Sequence, residues 1–248
     1  MKPVYEDDFV SLYHGDLFDV LPTLPVGSIH SLITDPPYCS GAAGVGVKAD
    51  PITKYCQNGN SLGRPTFGGD AKNERGFSFW CLQWLRFCRQ IVQPGGYALV
   101  FIDWRNLPSM CDALQAADWI HRGTIPWDKG SQSRSPHKGY FRHQCEYIPW
   151  GTNGPCKNRT DAGPFAGCHH IPVDRKDKHH ITGKPVKLMA ELVQVAPPGE
   201  TILDPFAGSG TTLLAASQAG RKAIGIEREK SYIDITIRRL QASAQQAA

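Results

Sequence analysis

The chain has 248 residues, 41% of them hydrophobic and 20% charged, which suffices for one large domain with its own core and excludes intrinsic disorder. Glycine (25) and proline (19) exceed ordinary usage and forecast long loops rather than a helical bundle. No stretch has the ~18 apolar residues of a membrane span, and the opening MKPVYEDDFV carries three acids and no apolar block, so a soluble, cytoplasmic protein with no membrane partner is expected.

Eight cysteines in an unsecreted chain of this size are expected to be reduced. In chain order, residues 28–34 (SIHSLIT) and 97–102 (YALVFI) are short apolar runs that read as buried strands. Residues 79–92 read as the helix between them, with Cys81 and Cys88 as small core residues, ending at the turn Pro94-Gly95-Gly96. Ahead of that helix lie residues 41–76, with eight glycines in 36 positions, which read as an active-site lid.

Residues 121–187 hold 12 Lys and Arg against 5 Asp and Glu, a net of +7, and seven of the nine histidines. Interleaved with Trp127, Tyr140, Phe141 and Tyr147, this basic block suits a surface that tracks phosphates, although a solvated basic loop would have the same composition. Within it, Cys145, Cys156 and Cys168 fall near His169, His170, His179 and His180. Their spacing fits no CxxC pairing, so no metal is assigned, with zinc as the alternative.

Toward the C-terminus, residues 201–204 read as a strand, Gly208-Ser209-Gly210 as a glycine loop, 211–219 as a helix stopped by Gly220, and 223–227 as a second strand. A closing helix follows over 231–240, and the Ala- and Gln-rich end from Gln241 reads as a fraying tail. Strands alternating with helices predict a doubly wound, mostly parallel α/β sheet in a single domain over 1–248, with the ligand at the carboxyl ends of the strands.

Two motifs carry chemistry. In Asp204-Pro205-Phe206-Ala207-Gly208-Ser209-Gly210-Thr211-Thr212 the glycines let backbone N–H groups approach a ligand, and Glu227, 19 residues after Gly208, suits both hydroxyls of a ribose. The loop lacks the third glycine of a dinucleotide fingerprint and the Gly-Lys-Ser/Thr of a triphosphate loop, so a nucleoside without phosphates, such as S-adenosylmethionine, fits best. The second motif, Asp35-Pro36-Pro37-Tyr38, follows the first strand directly. Its prolines make a rigid turn, and the chemistry it suits is methylation of an exocyclic amine. Asp35 and the Pro36 carbonyl would accept from the amine, and Tyr38 would stack on a base withdrawn from its duplex. Cys39 has no role in a direct methyl transfer.

These motifs, in this order, resemble the amino-methylating DNA methyltransferases of beta-class motif order, which transfer a methyl group from S-adenosylmethionine. The likeness covers about residues 12–240: the tetrapeptide first, the basic block next and the Phe-x-Gly-x-Gly loop last. It implies a Rossmann-like class I methyltransferase with an inserted target-recognition region over 129–177, acting on a flipped base in double-stranded DNA. It further implies that Asp16 meets the cofactor adenine. By likeness of 180–185 (HITGKP) to the family's His-Pro-Thr-Gln-Lys-Pro, Lys184 and Thr182 hold the cofactor's methionine end, though Ile181 and Gly183 depart from that pattern. Asp35 and Asp204 count among the cofactor-binding residues as well. Adenine N6 is favoured over cytosine N4 because Asp rather than Ser begins the tetrapeptide. Many relatives are dimers, so a homodimer is an open state. Rival readings are methylation of RNA or of a protein glutamine, and a non-catalytic DNA-binding protein; the basic block argues against a protein substrate, and the intact motifs against the last.

Overall fold

A computed structural model describes residues 1–39, 72–130, 138–156, 162–172 and 183–247. Residues 29–34 (IHSLIT) form a strand whose six residues are all buried, the polar His30, Ser31 and Thr34 included, as expected of a strand covered on both faces. Among the described residues it is the middle strand of a nine-stranded sheet. The strands are β1 (Tyr5–Glu6), β2 (Val10–His14), β3 (Ile29–Thr34), β4 (Val92–Val100), β5 (Ile120–Asp128), β6 (Cys145–Thr152), β7 (His169–His170), β8 (Thr201–Asp204) and β9 (Lys222–Glu227). The helices are α1 (Leu17–Val20), α2 (Glu74–Ile91), α3 (Leu107–Ala116), α4 (Val186–Leu192), α5 (Thr211–Gln218) and α6 (Lys230–Ala247).

Strand order is β1-β2-β9-β8-β3-β4-β6-β5-β7. The pairs β2/β9, β9/β8, β8/β3, β3/β4 and β5/β7 are parallel, whereas β1/β2, β4/β6 and β6/β5 are antiparallel. Alternate β3 residues enter different cores. Leu32 packs with Leu17 of α1, Trp84 of α2 and Met110 of α3, while Ile33 packs with Leu188 of α4, Leu213 of α5 and Ile233 of α6. This is the doubly wound, mostly parallel sheet with helices on both faces that the alternation of elements predicts.

The helix expected over 79–92 starts five residues earlier, at Glu74, because Asn73 caps it by accepting from the Gly76 N–H at 2.8 Å. Phe77, Cys81, Trp84, Leu85 and Cys88 make its buried stripe at helical spacing. Burying each large apolar member contributes about 1.5–3 kcal/mol. The turn expected at Pro94-Gly95-Gly96 is absorbed into β4 as an irregularity. Val92 pairs with Ile29 but Tyr97 pairs with Ser31, and Gly95 takes φ 82° to accommodate the extra residues. The tail expected to fray from Gln241 instead continues α6 to Ala247, since alanine and glutamine are strong helix formers, and Gln218 donates to Ser243 at 3.0 Å.

Two expected segments fall partly outside the described residues. Of the lid at 41–76, residues 41–71 are outside, and the last three residues are the first turn of α2. Of the region 129–177, β6 is a strand of the main sheet between β4 and β5, with Ile148 fully buried.

The chain leaves β3 toward β4 on one side of the sheet's centre and leaves β8 toward β9 on the other. Loops departing from neighbouring parallel strands in opposite directions open a crevice at their carboxyl ends. The register brings Asp204 opposite Gly225 and His14 opposite Glu227, so the ends of β3, β8, β9 and β2 rim one site.

Candidate active site

The turn after β3 is rigid by its own chemistry and is fastened at both ends. Phe101 N–H donates to the Thr34 carbonyl at 2.9 Å, and Asn106 Nδ2 donates to the Tyr38 carbonyl at 2.6 Å. Cys39, at φ 56°, turns the chain away and is buried in the core beside α2. Side chains from distant elements complete the turn. Tyr38 donates its hydroxyl proton to Glu146 Oε2 at 2.9 Å. Lys184 Nζ donates to Asp35 Oδ2 at 2.6 Å and lies 3.2 Å from Glu146 Oε2, while Lys129 Nζ donates to Glu146 Oε1 at 3.0 Å. Asp35 Oδ1 is buried with no hydrogen-bond partner among the described residues.

The electrostatics follow from this packing. Burial pushes the Asp35 carboxyl up, Lys184 restrains the rise and Glu146 adds to it. Burial would push Glu146 up too, but Lys184, Lys129 and the hydrogen bonds from Lys129 and Tyr38 hold it at about 2. Lys184 is only 5% exposed, which would lower it, yet Asp35 and Glu146 outweigh burial and raise it. Burial together with the charges of Asp35 and Glu146 raises the Tyr38 phenol well above its ordinary value, so it is a donor at neutral pH.

The glycine loop is held in the same manner. Asp204, at the end of β8, accepts from Thr34 Oγ1 at 2.6 Å and from the Phe206 N–H at 3.1 Å. Burial lifts its carboxyl to about 6 against those hydrogen bonds and one from Thr212. Glu227, at the end of β9, accepts from the Gly208 N–H at 2.8 Å and the Glu229 N–H at 2.7 Å, and burial raises it as well. Gly210 takes φ 77° as the residue before α5, and a Cβ there would collide with Thr236 Cγ2, so no other residue fits.

One cavity joins the two motifs. Asp35, Pro36, Pro37 and Tyr38 form part of its wall; Asp204, Phe206, Ala207, Gly208, Ser209, Thr211, Thr212 and Glu227 form another, with Asp16 and Lys184 between. Gly210 does not line it but shapes the loop from behind, and Thr182 lies outside the described residues. Asp16 caps α1 by accepting from the Phe18 N–H at 2.9 Å.

Four contributors escape a reading of the sequence. Glu146 and Asn106 reach the tetrapeptide, and Lys129 reaches Glu146, only through the fold, and Trp80 of α2 lines the cavity with its ring edge-on to Phe206 at 5.3 Å. The one signal for Glu146 is an acid inside an otherwise apolar strand, CEYIPWGT. Part of the basic surplus is spent internally, since Lys129 and Lys184 face carboxylates of the site. Within the histidine and cysteine cluster, buried His169 lies 2.6 Å from Glu191, and His170 lies 3.1 Å from Asp128 and 3.8 Å from Cys168 Sγ, while His179 and His180 lie outside the described residues. No group of three or more metal-ligating residues occurs among the described residues. No helix among them is long and apolar enough to cross a membrane.

Comparison with known proteins agrees with this geometry. Type II methyltransferase M2.DpnII of Streptococcus pneumoniae is 26% identical over 257 residues, covering 97% of this chain and 93% of its own length. Among solved structures, the M1.HpyAVI–SAM complex superposes with a TM-score of 0.67 at 23% identity, covering 93% of this chain and 98% of its own. PvuII DNA methyltransferase, cytosine-N4-specific, superposes with a TM-score of 0.74 at 18% identity, covering 98% and 93%; at these identities the two structures attest the fold. The family model described as DNA methylase, N6_N4_Mtase, matches residues 29–238, which include both motifs and the strands that carry them, and the chain therefore belongs to the N6-adenine/N4-cytosine family of DNA methyltransferases.

Proposed function

We propose that the protein is a DNA adenine-N6 methyltransferase that takes its methyl group from S-adenosylmethionine and acts on a base flipped out of double-stranded DNA. The observation that carries this reading is the cavity walled by both motifs, with a buried Asp35 oxygen beside it that has no hydrogen-bond partner among the described residues. The donor set fits the cofactor: Glu227 for the ribose hydroxyls, Asp16 for the adenine, and the loop from Phe206 to Ser209 for close backbone contact. When bound, S-adenosylmethionine supplies an electrophilic methyl group on its sulfonium.

The amine of adenine is a poor nucleophile because its lone pair is delocalised into the ring. Asp35 Oδ1 and the Pro36 carbonyl accept its two N–H bonds, draw it toward tetrahedral geometry and stabilise the positive charge that develops on nitrogen. Tyr38 offers its ring to the base. Lys184 serves Asp35 and Glu146; a cofactor carboxylate at the methionine end would become a third anionic partner of the same ammonium, and the family likeness alone assigns Thr182 to that end. The preference for adenine rests on Asp35 opening the tetrapeptide.

Target recognition is assigned to 129–177, where Tyr140 (72% exposed) and Phe141 (94% exposed) stand between Lys138 and Arg142, a few residues from Glu146. Trp104, 44% exposed, stacks on His143 at 4.8 Å and carries the Arg105 guanidinium at 4.8 Å. Cations interleaved with exposed rings suit phosphates and unstacked bases. The bacterial sources of the relatives and a DNA substrate support a cytoplasmic place of action.

Incubation with labelled S-adenosylmethionine and plasmid DNA, followed by digestion to nucleosides, tests the proposal. N6-methyladenine is the expected product; N4-methylcytosine overturns the base, and labelling of RNA without DNA overturns the substrate.

A further inference from the structure

Glu146 does not line the cavity, yet it contacts the Tyr38 hydroxyl and the ammonium groups of Lys129 and Lys184 beside the catalytic turn. Its backbone is rigid. Glu146 pairs with Trp127 of β5, and the next residue, Tyr147, exchanges two hydrogen bonds with Ile102 at 2.8 and 2.9 Å just beyond β4. Lys129, directly after β5, is fixed by its own N–H to the Gln144 carbonyl at 3.0 Å. The Glu146 carboxylate is thus held by the sheet, while Asp35 and Tyr38 lie on the turn above it.

We propose that Glu146 is a positioning residue: it anchors the Tyr38 hydroxyl and shares the Lys184 ammonium with Asp35, leaving one Asp35 oxygen available to the target amine. The inference rests on the methyltransferase reading above. With Lys184 between two anions and Lys129 beyond, the four charges sum to zero, so the buried set is balanced without Lys184 belonging to Asp35 alone. Without the Glu146 charge, the ammonium at 2.6 Å from Asp35 Oδ2 would have that carboxylate as its main counterion and would withdraw basicity from the oxygen that must accept from the amine. Without its hydrogen bond, the Tyr38 hydroxyl would lose its anchor on the sheet, leaving the side chain its interactions with Asp35 and Lys184.

The charged and titratable groups facing Glu146 are Tyr38, Lys129 and Lys184, with Asp35 beyond Lys184; Asp35 is faced in addition by Asp204 from β8. The Glu146 charge raises Asp35, so removing it lowers the Asp35 titration.

Glu146→Gln keeps the shape and an acceptor for Tyr38 while removing the charge. The wild type is first assayed on DNA, and its turnover tests the methyltransferase reading separately. Against that turnover, the variant is expected to bind S-adenosylmethionine within about twofold of wild type by calorimetry. Its kcat is expected to fall about tenfold or more with KM for DNA little changed, and the acid limb of its kcat profile to move to lower pH. Glu146→Asp, which keeps the charge, is expected to recover part of kcat and the wild-type limb. Combining Glu146→Ala with Tyr38→Phe should cost less than the sum of the two singles, because both remove one hydrogen bond. Wild-type kcat in Glu146→Gln overturns the proposal. So does an unshifted limb accompanied by equal losses in the Gln and Asp variants, which is the signature of a structural role alone.

Discussion

Replacing Glu227 by glutamine tests the cofactor half of the site. Each Glu227 oxygen receives a backbone N–H, from Gly208 at 2.8 Å and from Glu229 at 2.7 Å, and the pair of oxygens faces the cavity at the end of β9. A glutamine has one acceptor oxygen, so its NH2 group must meet one of those N–H donors head-on and one ribose hydroxyl must lose its acceptor. A hydrogen bond to a charged group contributes about 1.5–3 kcal/mol, which sets the loss of cofactor binding at about 10- to 150-fold in Kd. Titration calorimetry with S-adenosylmethionine measures it. The wild-type affinity should also weaken as pH falls through the raised Glu227 titration, and the variant should lose that dependence. A variant that binds the cofactor as tightly as wild type, with the same pH dependence, would falsify the assignment of Glu227 to the ribose.

Asp35→Asn should bind S-adenosylmethionine within about threefold of wild type but lose about 100-fold or more in kcat, as expected for removing a charge aimed at the transition state; single-turnover methylation checks this, and retained turnover removes the carboxylate from the chemistry. Asp204, lifted to about 6 by burial, binds its proton more tightly folded than unfolded, so its contribution to stability is full below its ordinary value and is lost as pH rises toward 6. Two pH units correspond to about 3 kcal/mol, so thermal melting of wild type relative to Asp204→Asn should fall between about pH 4 and pH 6, and parallel curves would contradict it. Phe141→Ala should leave the melting temperature unchanged, since the ring is 94% exposed, and raise KM for duplex DNA about 5- to 30-fold through loss of about 1–2 kcal/mol of stacking; steady-state kinetics on a duplex decide it, and an unchanged KM removes the ring from the DNA surface.

What the amino-acid sequence determined is the part of the protein that local chemistry dictates. Two prolines after a buried strand make a rigid corner wherever they occur, a Gly-Ser-Gly between strand and helix makes a close-approach loop, and Glu227 follows at the end of the next strand. Each of these depends on neighbours in the chain, so 35–38, 206–212 and 227 were legible, as was the alternation of elements that demands a doubly wound sheet. The boundaries of α2 and α6 were less so, because a cap at Asn73 and the helix propensity of an Ala-Gln end do not show in hydrophobic periodicity.

Only the tertiary structure decided which charges meet. Tyr38 and Glu146 are 108 residues apart, Asp35 and Lys184 are 149 apart, and Thr34 and Asp204 are 170 apart. A carboxylate's role depends on what desolvates it and which cation reaches it, and those come from strand order, here β6 crossing the sheet beside β4 and β5. The same lysines that in sequence count toward a basic surface are in the fold the counterions of a buried site, because the segments after β5 and before α4 turn Lys129 and Lys184 inward onto Glu146 and Asp35.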